Sequence, residues 1–277
     1  MSPLSKNTPD GFLMVEDNLR QAMRFFGEAT GSGEVRIDDG LEIVYSGLDY
    51  GVFNMALLAR PVSSERDLAS ILVAAGRFYR ERKSRWSFWL CEDLLDPTAR
   101  RHSREIFAEA GMRAISHAPG MLAPALSAPA RPLPEIECRA VCTPDLRAAF
   151  AGLTVSCFDI PLAVARAVYE PESAWHGAYR GYVGIMQGVV VSIVALVRAG
   201  GAVGVYSLGT VPAHRHKGYG EALLRAALAE ERAGQEDAAQ DDRGNLPLVL
   251  ESTDAGYRLY RRIGFRDVTN FTVYLTR

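Results

Sequence analysis

One segment of this 277-residue chain concentrates groups able to hold an anion: Leu208-Gly209-Thr210-Val211-Pro212-Ala213-His214-Arg215-His216-Lys217-Gly218-Tyr219-Gly220-Glu221. An apolar, β-branched run ends at Leu208, a short basic turn with two glycines follows, and a helix begins at about Glu221. Free backbone N–H groups at a helix start, reinforced by the helix dipole, form a cradle for phosphate, and glycine lets the phosphate approach the backbone closely. The dipole alone contributes about 0.3–1 kcal/mol at an exposed site, so several amides and the cations Arg215 and Lys217 must act together. Two familiar phosphate-binding patterns fail here. A dinucleotide fingerprint needs a third glycine where the chain has Leu223, and a P-loop needs Gly-Lys-Ser/Thr, whereas Lys217 precedes Gly218.

The pattern that remains is R-x-x-G-x-G after a strand of form L-x-x-V-x-P. It resembles the acyl-CoA pyrophosphate-binding motif of the GNAT superfamily of N-acyltransferases. A second stretch, Leu250-Glu251-Ser252-Thr253 with Ala255, Leu259-Tyr260 and Gly264-Phe265, is similar to the later GNAT motif, a strand followed by a helix carrying LY-x-x-x-GF. The resemblance covers about residues 136–277. It implies acetyl-CoA as co-substrate and no metal. The main chain of Leu208, Gly209, Thr210 and Val211 would pair with the pantetheine arm along an edge left open where the fourth strand splays from the fifth. The amides of His216, Lys217, Gly218, Tyr219, Gly220 and Glu221 would hold the pyrophosphate. Tyr260 matches the family tyrosine that protonates the leaving thiolate. Ser252 and Thr253 stand where many relatives have asparagine, with hydroxyls able to bond the pantetheine amides.

The acceptor amine must lose a proton before attack, and relatives often use a glutamate on the fourth strand. Val203 to Leu208 contains no acid, only Tyr206 and Ser207. His176, Glu251, Asp159 and His214 are candidate bases; a water relay, or an amine delivered neutral, would need none.

The elements that must position these groups follow from patterning. Ile136 to Val141 alternates as a strand, Thr143 caps a helix from Pro144 to about Leu153, and helical pattern resumes from Pro161 to Val168. Three β-branched runs, 181–186, 189–198 and 202–208, are separated by Gln187-Gly188 and Ala199-Gly200-Gly201 and read as an antiparallel meander. A helix over 221–233, an acidic stretch over 230–243, a strand over 246–251, a helix over 255–263 stopped by Gly264, and a final strand over 265–276 complete the half. The first half repeats this order without the opening strand: a helix over 17–28, strands near 34–37, 41–45 and 52–59, a helix over 65–81, a strand over 86–90, a helix over 99–110 and an extended run from Met112. Ile106 to Arg113 echoes Leu259 to Arg266. The expected fold is thus α/β with two GNAT-like domains, each a mixed, mostly antiparallel twisted sheet flanked by helices. Prolines 119, 124, 129, 132 and 134 mark an extended connector, which places the boundary near residue 130: residues 1–130 a degenerate domain, 131–277 the acyl-CoA domain.

In the first half, the corresponding junction, Leu58 to Glu65, has no glycine pair, and Phe107 falls where Tyr260 sits. That unit is expected to pack against the active domain and wall the acceptor cleft. The cluster Trp86, Phe88 and Trp89 reads as core.

Composition excludes several classes. Lys plus Arg is 31 against 33 Asp plus Glu, a net charge of −2, which lacks the basic footprint of a nucleic-acid binder. Neither a signal peptide nor a membrane span is visible in the sequence, so a cytoplasmic protein without membrane partners is expected. No second Cys/His pair sits at zinc-ligand spacing near Cys138 and Cys142, and these two with Cys91 and Cys157 read as reduced structural thiols. The expected activity is transfer of an acetyl group from acetyl-CoA to a primary amine of a small-molecule or peptide acceptor, by direct attack in a ternary complex. The alternative is a non-catalytic acyl-CoA-binding or regulatory module.

Overall fold

The computed structural model describes residues 9–236 and 246–276. The chain runs α1 (Pro9–Glu28), β1 (Glu34–Asp38), β2 (Leu41–Tyr45), β3 (Met55–Leu58), α2 (Glu65–Glu81), β4 (Ser87–Cys91), α3 (Pro97–Glu109), β5 (Met112–Ala123), β6 (Glu137–Ala140), α4 (Pro144–Phe158), α5 (Leu162–Tyr169), β7 (Tyr179–Met186), β8 (Val189–Ala199), β9 (Ala202–Thr210), α6 (Tyr219–Glu236), β10 (Leu248–Glu251), α7 (Asp254–Arg262) and β11 (Arg266–Thr276). The acidic residues Asp237, Asp241 and Asp242 lie outside the described residues.

Local chemistry sets the element ends. Thr143 accepts from Leu146 N–H and Pro144 opens α4, as its sequence requires. Ser64, Asp96 and Thr253 cap α2, α3 and α7 in the same way. Gly111 and Gly264, the two ends of the sequence echo, both adopt positive φ just past their helices, at 77° and 110°. Helix α1 starts earlier than the pattern suggested, because Pro9 is tolerated in a first turn and the stripe Val15, Leu19, Ala22 and Phe26 is buried.

All eleven strands join one mixed sheet in the order β1-β2-β3-β4-β11-β5-β10-β9-β8-β7-β6. Among the described strands, β3–β4 and β9–β10 pair in parallel, and they occupy equivalent places on either side of the β11–β5 pair. The halves read on either side of residue 130 exchange their last strands: β5 lies against β10, and β11 lies against β4. The sequence leads one to expect two sheets; the exchange fuses them into one.

Two cores result. One lies under α6 and α7 and contains Val203, Val205, Leu223, Leu224, Leu248, Leu250 and Tyr260. The other gathers Val249, Tyr206 and Phe271 under α1, α4 and α5 on the opposite face and continues through the first half to α2, which packs on the side of β2 away from α1: Tyr45 meets Phe78 and Tyr79 of α2, whereas Glu42 meets Arg24 of α1. Trp86 and Phe88 belong to the latter, with Trp86 stacked 5.1 Å from Tyr79, which accords with their reading as core. Among the described residues no helix is long and apolar enough to cross a membrane, and no His/Cys/Asp/Glu cluster suits a metal.

Candidate active site

Strands β9 and β10 pair only at Leu248 with Val203 and Val249 with Gly204; Leu250 and Glu251 have no partner on β9. They part because β9 bends. Its register against β8 slips between Ala195–Tyr206 and Ile193–Gly209, and Ser207 in the bulge has φ of 49°. Past the bulge the side of β9 away from β8 is an open edge reached by Leu208, while Gly209, opposite Ile193, turns its main chain to β8 as Val211 does. Val211 donates to Val191 O on the β8 side, so alternation turns the main chain of Thr210 to the gap, where Arg215 Nε donates to its carbonyl at 3.1 Å. Gly209 is fixed by packing: a Cβ there would lie 2.9 Å from Cys157 Cβ on α4.

A one-turn 3-10 segment, Pro212–His214, leads into the basic turn. His216 and Gly218 take positive φ, 63° and 97°. Ala222 is the first residue whose N–H closes onto this helix start, bonding Gly218 O. The N–H groups of His216, Lys217, Gly218, Tyr219, Gly220 and Glu221 have no acceptor among the described residues, as the sequence pattern demands. Gly220 packs near Thr210 Oγ1, 3.2 Å from where a Cβ would stand. Lys217 Nζ bonds Ala213 O at 2.9 Å, so the cations Arg215 and Lys217 rest on carbonyls of their own turn. The Glu221 side chain turns away from the cradle: it is buried and ion-paired with Arg225 (2.9 Å) and Arg262 (3.4 Å), tying α6 to α7.

On the same face, α7 presents Tyr260, 8% exposed, with no hydrogen-bond partner for its hydroxyl among the described residues. Burial, with Glu251 adding to it, raises its pKa, so the phenol keeps its proton at neutral pH. Its ring lies over Gly256, where a Cβ would come within 2.8 Å of Cε2. Sequence reading missed Gly256; its signal was a glycine inside a helix, four residues before the tyrosine. The neighbouring hydroxyls are committed locally: Ser252 is fully buried and bonds Thr253 O at 2.8 Å, while Thr253 Oγ1 caps α7.

Alternation along β10 sends Leu248 and Leu250 toward α6 and α7, and Val249 and Glu251 toward α1. Glu251 Oε1 is enclosed and has no hydrogen-bond partner, although the residue as a whole is only half-buried. Burial lifts this carboxyl to about 8. Helix α1 brings a second acid to this face: Glu16, 5% exposed, raised to about 7 by burial against the opposing pull of Arg20 at 2.8 Å. Other candidate bases stand apart. His176 and Asp159 are exposed, Asp159 being the left-handed cap of α4; His214 packs against Tyr219 in the basic turn. Tyr206 and Ser207 are engaged elsewhere, Tyr206 donating to Asn18 Oδ1 at 2.7 Å and Ser207 bonding Tyr179 at 2.8 Å.

The matching junction in the first half is closed. Beyond β3, Val62 bridges to Leu95, donating to Leu94 O and accepting from Asp96 N, so β3 and β4 cannot part as β9 and β10 do. At the start of α2 the Asp67 carboxylate accepts from Ser63 N and pairs with Arg60 at 2.8 Å, filling the place of an anion with the chain's own charge. That pairing holds Asp67 down at about 2. Phe107 is buried and stacked on Tyr274 at 3.8 Å.

Residues 176–267 match the acetyltransferase (GNAT) domain family. No curated protein matches the chain. Among solved structures, a GCN5-related N-acetyltransferase from Kribbella flavida is similar over 96% of this chain and 95% of its own, with a TM-score of 0.67 at 18% identity. A tandem GNAT protein from the clavulanic acid biosynthesis pathway is similar over 99% and 97%, with a TM-score of 0.56 at 12% identity. A conserved protein of unknown function from Staphylococcus epidermidis matches over 89% and 94%, with a TM-score of 0.60 at 12% identity. Residues 176–267 thus match a GNAT acetyltransferase domain, and the whole chain shares the mixed-sheet fold of these solved structures.

Proposed function

We propose that the protein is an N-acetyltransferase that moves the acetyl group of acetyl-CoA to a primary amine by direct attack in a ternary complex. The observation that carries this reading is the arrangement around the β9–β10 gap. On the α6–α7 face lie an open strand edge, a run of free amides, two cations and a protonated phenol; on the α1 face lies a carboxyl with one buried oxygen that has no partner among the described residues. A thioester seated in the gap has Tyr260 on its sulfur side and Glu251 on its acyl side.

In that arrangement Glu251 accepts a proton from the incoming ammonium. The neutral amine attacks the thioester carbonyl, collapse of the adduct breaks the carbon–sulfur bond while Tyr260 delivers its proton to the departing thiolate, and the second proton on the adduct nitrogen passes to solvent, from which Tyr260 is reprotonated. Holding both reactants in the gap contributes proximity, and positioned proton donors and acceptors each typically add about 10² to 10⁴ in rate. Helix α1, from the first half, walls the acceptor side, and its Glu16 adds acidity suited to a cationic amine.

The test is a thermal shift with acetyl-CoA, CoA and ATP in parallel, followed by thiol release against an amine panel. A ligand at 1,000 times its dissociation constant stabilises by about 4.1 kcal/mol. Shifts with both CoA species and amine-dependent thiol release are expected. Shifts without release for any amine would leave an acyl-CoA-binding module, and no shift would remove the reading altogether.

A further inference from the structure

The proline-rich segment between β5 and β6 is built into the site. Ser127 N donates to Ile263 O at the end of α7 (2.8 Å), and Ser127 O accepts from Arg225 of α6 (2.6 Å). The segment then crosses the start of α6. Arg131 Nη2 donates to His216 O at 2.9 Å, and Pro134 Cδ lies 3.0 Å from the position a Cβ on Gly218 would take. A side chain at Gly218 would strike the connector, which gives that glycine a second reason beyond its positive φ.

Arg131 is exposed and has no carboxylate partner among the described residues; one of its five N–H donors is used. The same holds for Arg215 and Lys217, which rest on Thr210 O and Ala213 O. Three cations without counter-charges thus surround one loop of free amides, and Arg131 comes from a different part of the chain. At the corresponding junction of the first half the cation Arg60 is neutralised by Asp67. Keeping three cations close together without carboxylates is unfavourable unless an anion joins them, and a guanidinium fork suits phosphate.

We infer that Arg131 is a phosphate ligand of the acyl-CoA, so that the connector completes the cradle. This rests on the acyl-CoA reading above. CoA offers two sources of the same chemistry, the pyrophosphate and the ribose 3′-phosphate.

Isothermal titration of wild type and Arg131→Ala with CoA and dephospho-CoA tests it on the full chain. Loss of one charge-assisted contact should weaken CoA binding about tenfold. Equal weakening of both nucleotides places Arg131 on the pyrophosphate. Weakening confined to CoA, with dephospho-CoA already weak in wild type, places it on the 3′-phosphate. Arg131→Lys should retain part of the affinity. Unchanged CoA binding by Arg131→Ala would overturn the inference alone, whereas a wild type that binds neither nucleotide would overturn the acyl-CoA reading and this inference with it.

Discussion

The Tyr206 hydroxyl of β9 donates to Asn18 Oδ1 of α1 at 2.7 Å, while Asn18 Nδ2 donates to Val197 O and Ala199 O at 3.0 and 2.9 Å. Asn18 is fully buried, and Gly204 leaves the room its side chain occupies. A helix of the first half thereby fixes the strand that borders the gap in the second. Asn18→Ala removes the acceptor and strands these groups; unfolding should show a loss of about 1–3 kcal/mol. Tyr206→Phe should cost about 1 kcal/mol and leave turnover intact. Abolished turnover in that variant would move the base from Glu251 to Tyr206.

Glu251→Gln keeps the shape and removes the base. Turnover should drop by about 10²-fold or more with CoA affinity retained. Because the wild-type carboxyl works when ionised, kcat/KM should rise with pH through about 8, and the variant should lack this limb. The same group affects stability with the opposite sign. Its folded pKa is raised above the unfolded value, so its stabilising contribution is complete below about 4.5 and is lost as pH rises toward 8. Thermal melts of Glu251→Gln should therefore fall less between pH 5 and 8 than those of wild type.

Tyr260→Phe should lower turnover by about 10²-fold or more while CoA binding stays unchanged, a split visible by comparing titration with thiol release. Gly256→Ala should reproduce part of that loss by pushing the ring from its place. Equal turnover in wild type and Tyr260→Phe would remove the acid assignment.

Much of this site was legible in sequence. R-x-x-G-x-G after an apolar strand specifies a turn whose amides stay free, and such a turn is a local property of Arg215 to Gly220. Thr143-Pro144 and the Gly111 and Gly264 helix stops were equally local. Glu251 appeared only as one of several candidates, because its worth depends on which face of β10 it takes and on β9 bending away at Ser207. Arg131 gave no signal: in sequence it sits in a proline-rich connector, and its approach to His216 depends on how that connector crosses α6. Pairing of β5 with β10 and β11 with β4 is longer-range still, and nothing in the local pattern of either strand names its neighbour.

That pairing predicts the behaviour of fragments. Residues 131–277 alone would expose the edge and face of β10 that β5 covers with Met121 and Leu122, both buried. Expressed separately, the two halves should be insoluble or fail to bind CoA, and co-expression should restore binding. A soluble 131–277 fragment with full CoA affinity would show that β5 is dispensable to the site.

The exchange also sets an order of events during synthesis. Met112 pairs with Thr276, so the N-terminal half emerges from the ribosome with the edge of β4 and the strand β5 both waiting for β11, which is made much later. Contacts so distant along the chain close slowly and leave unpaired edges exposed meanwhile. Until β11 is made these edges stay open, and a premature stop that removes β11 would leave both halves without the strand that joins them.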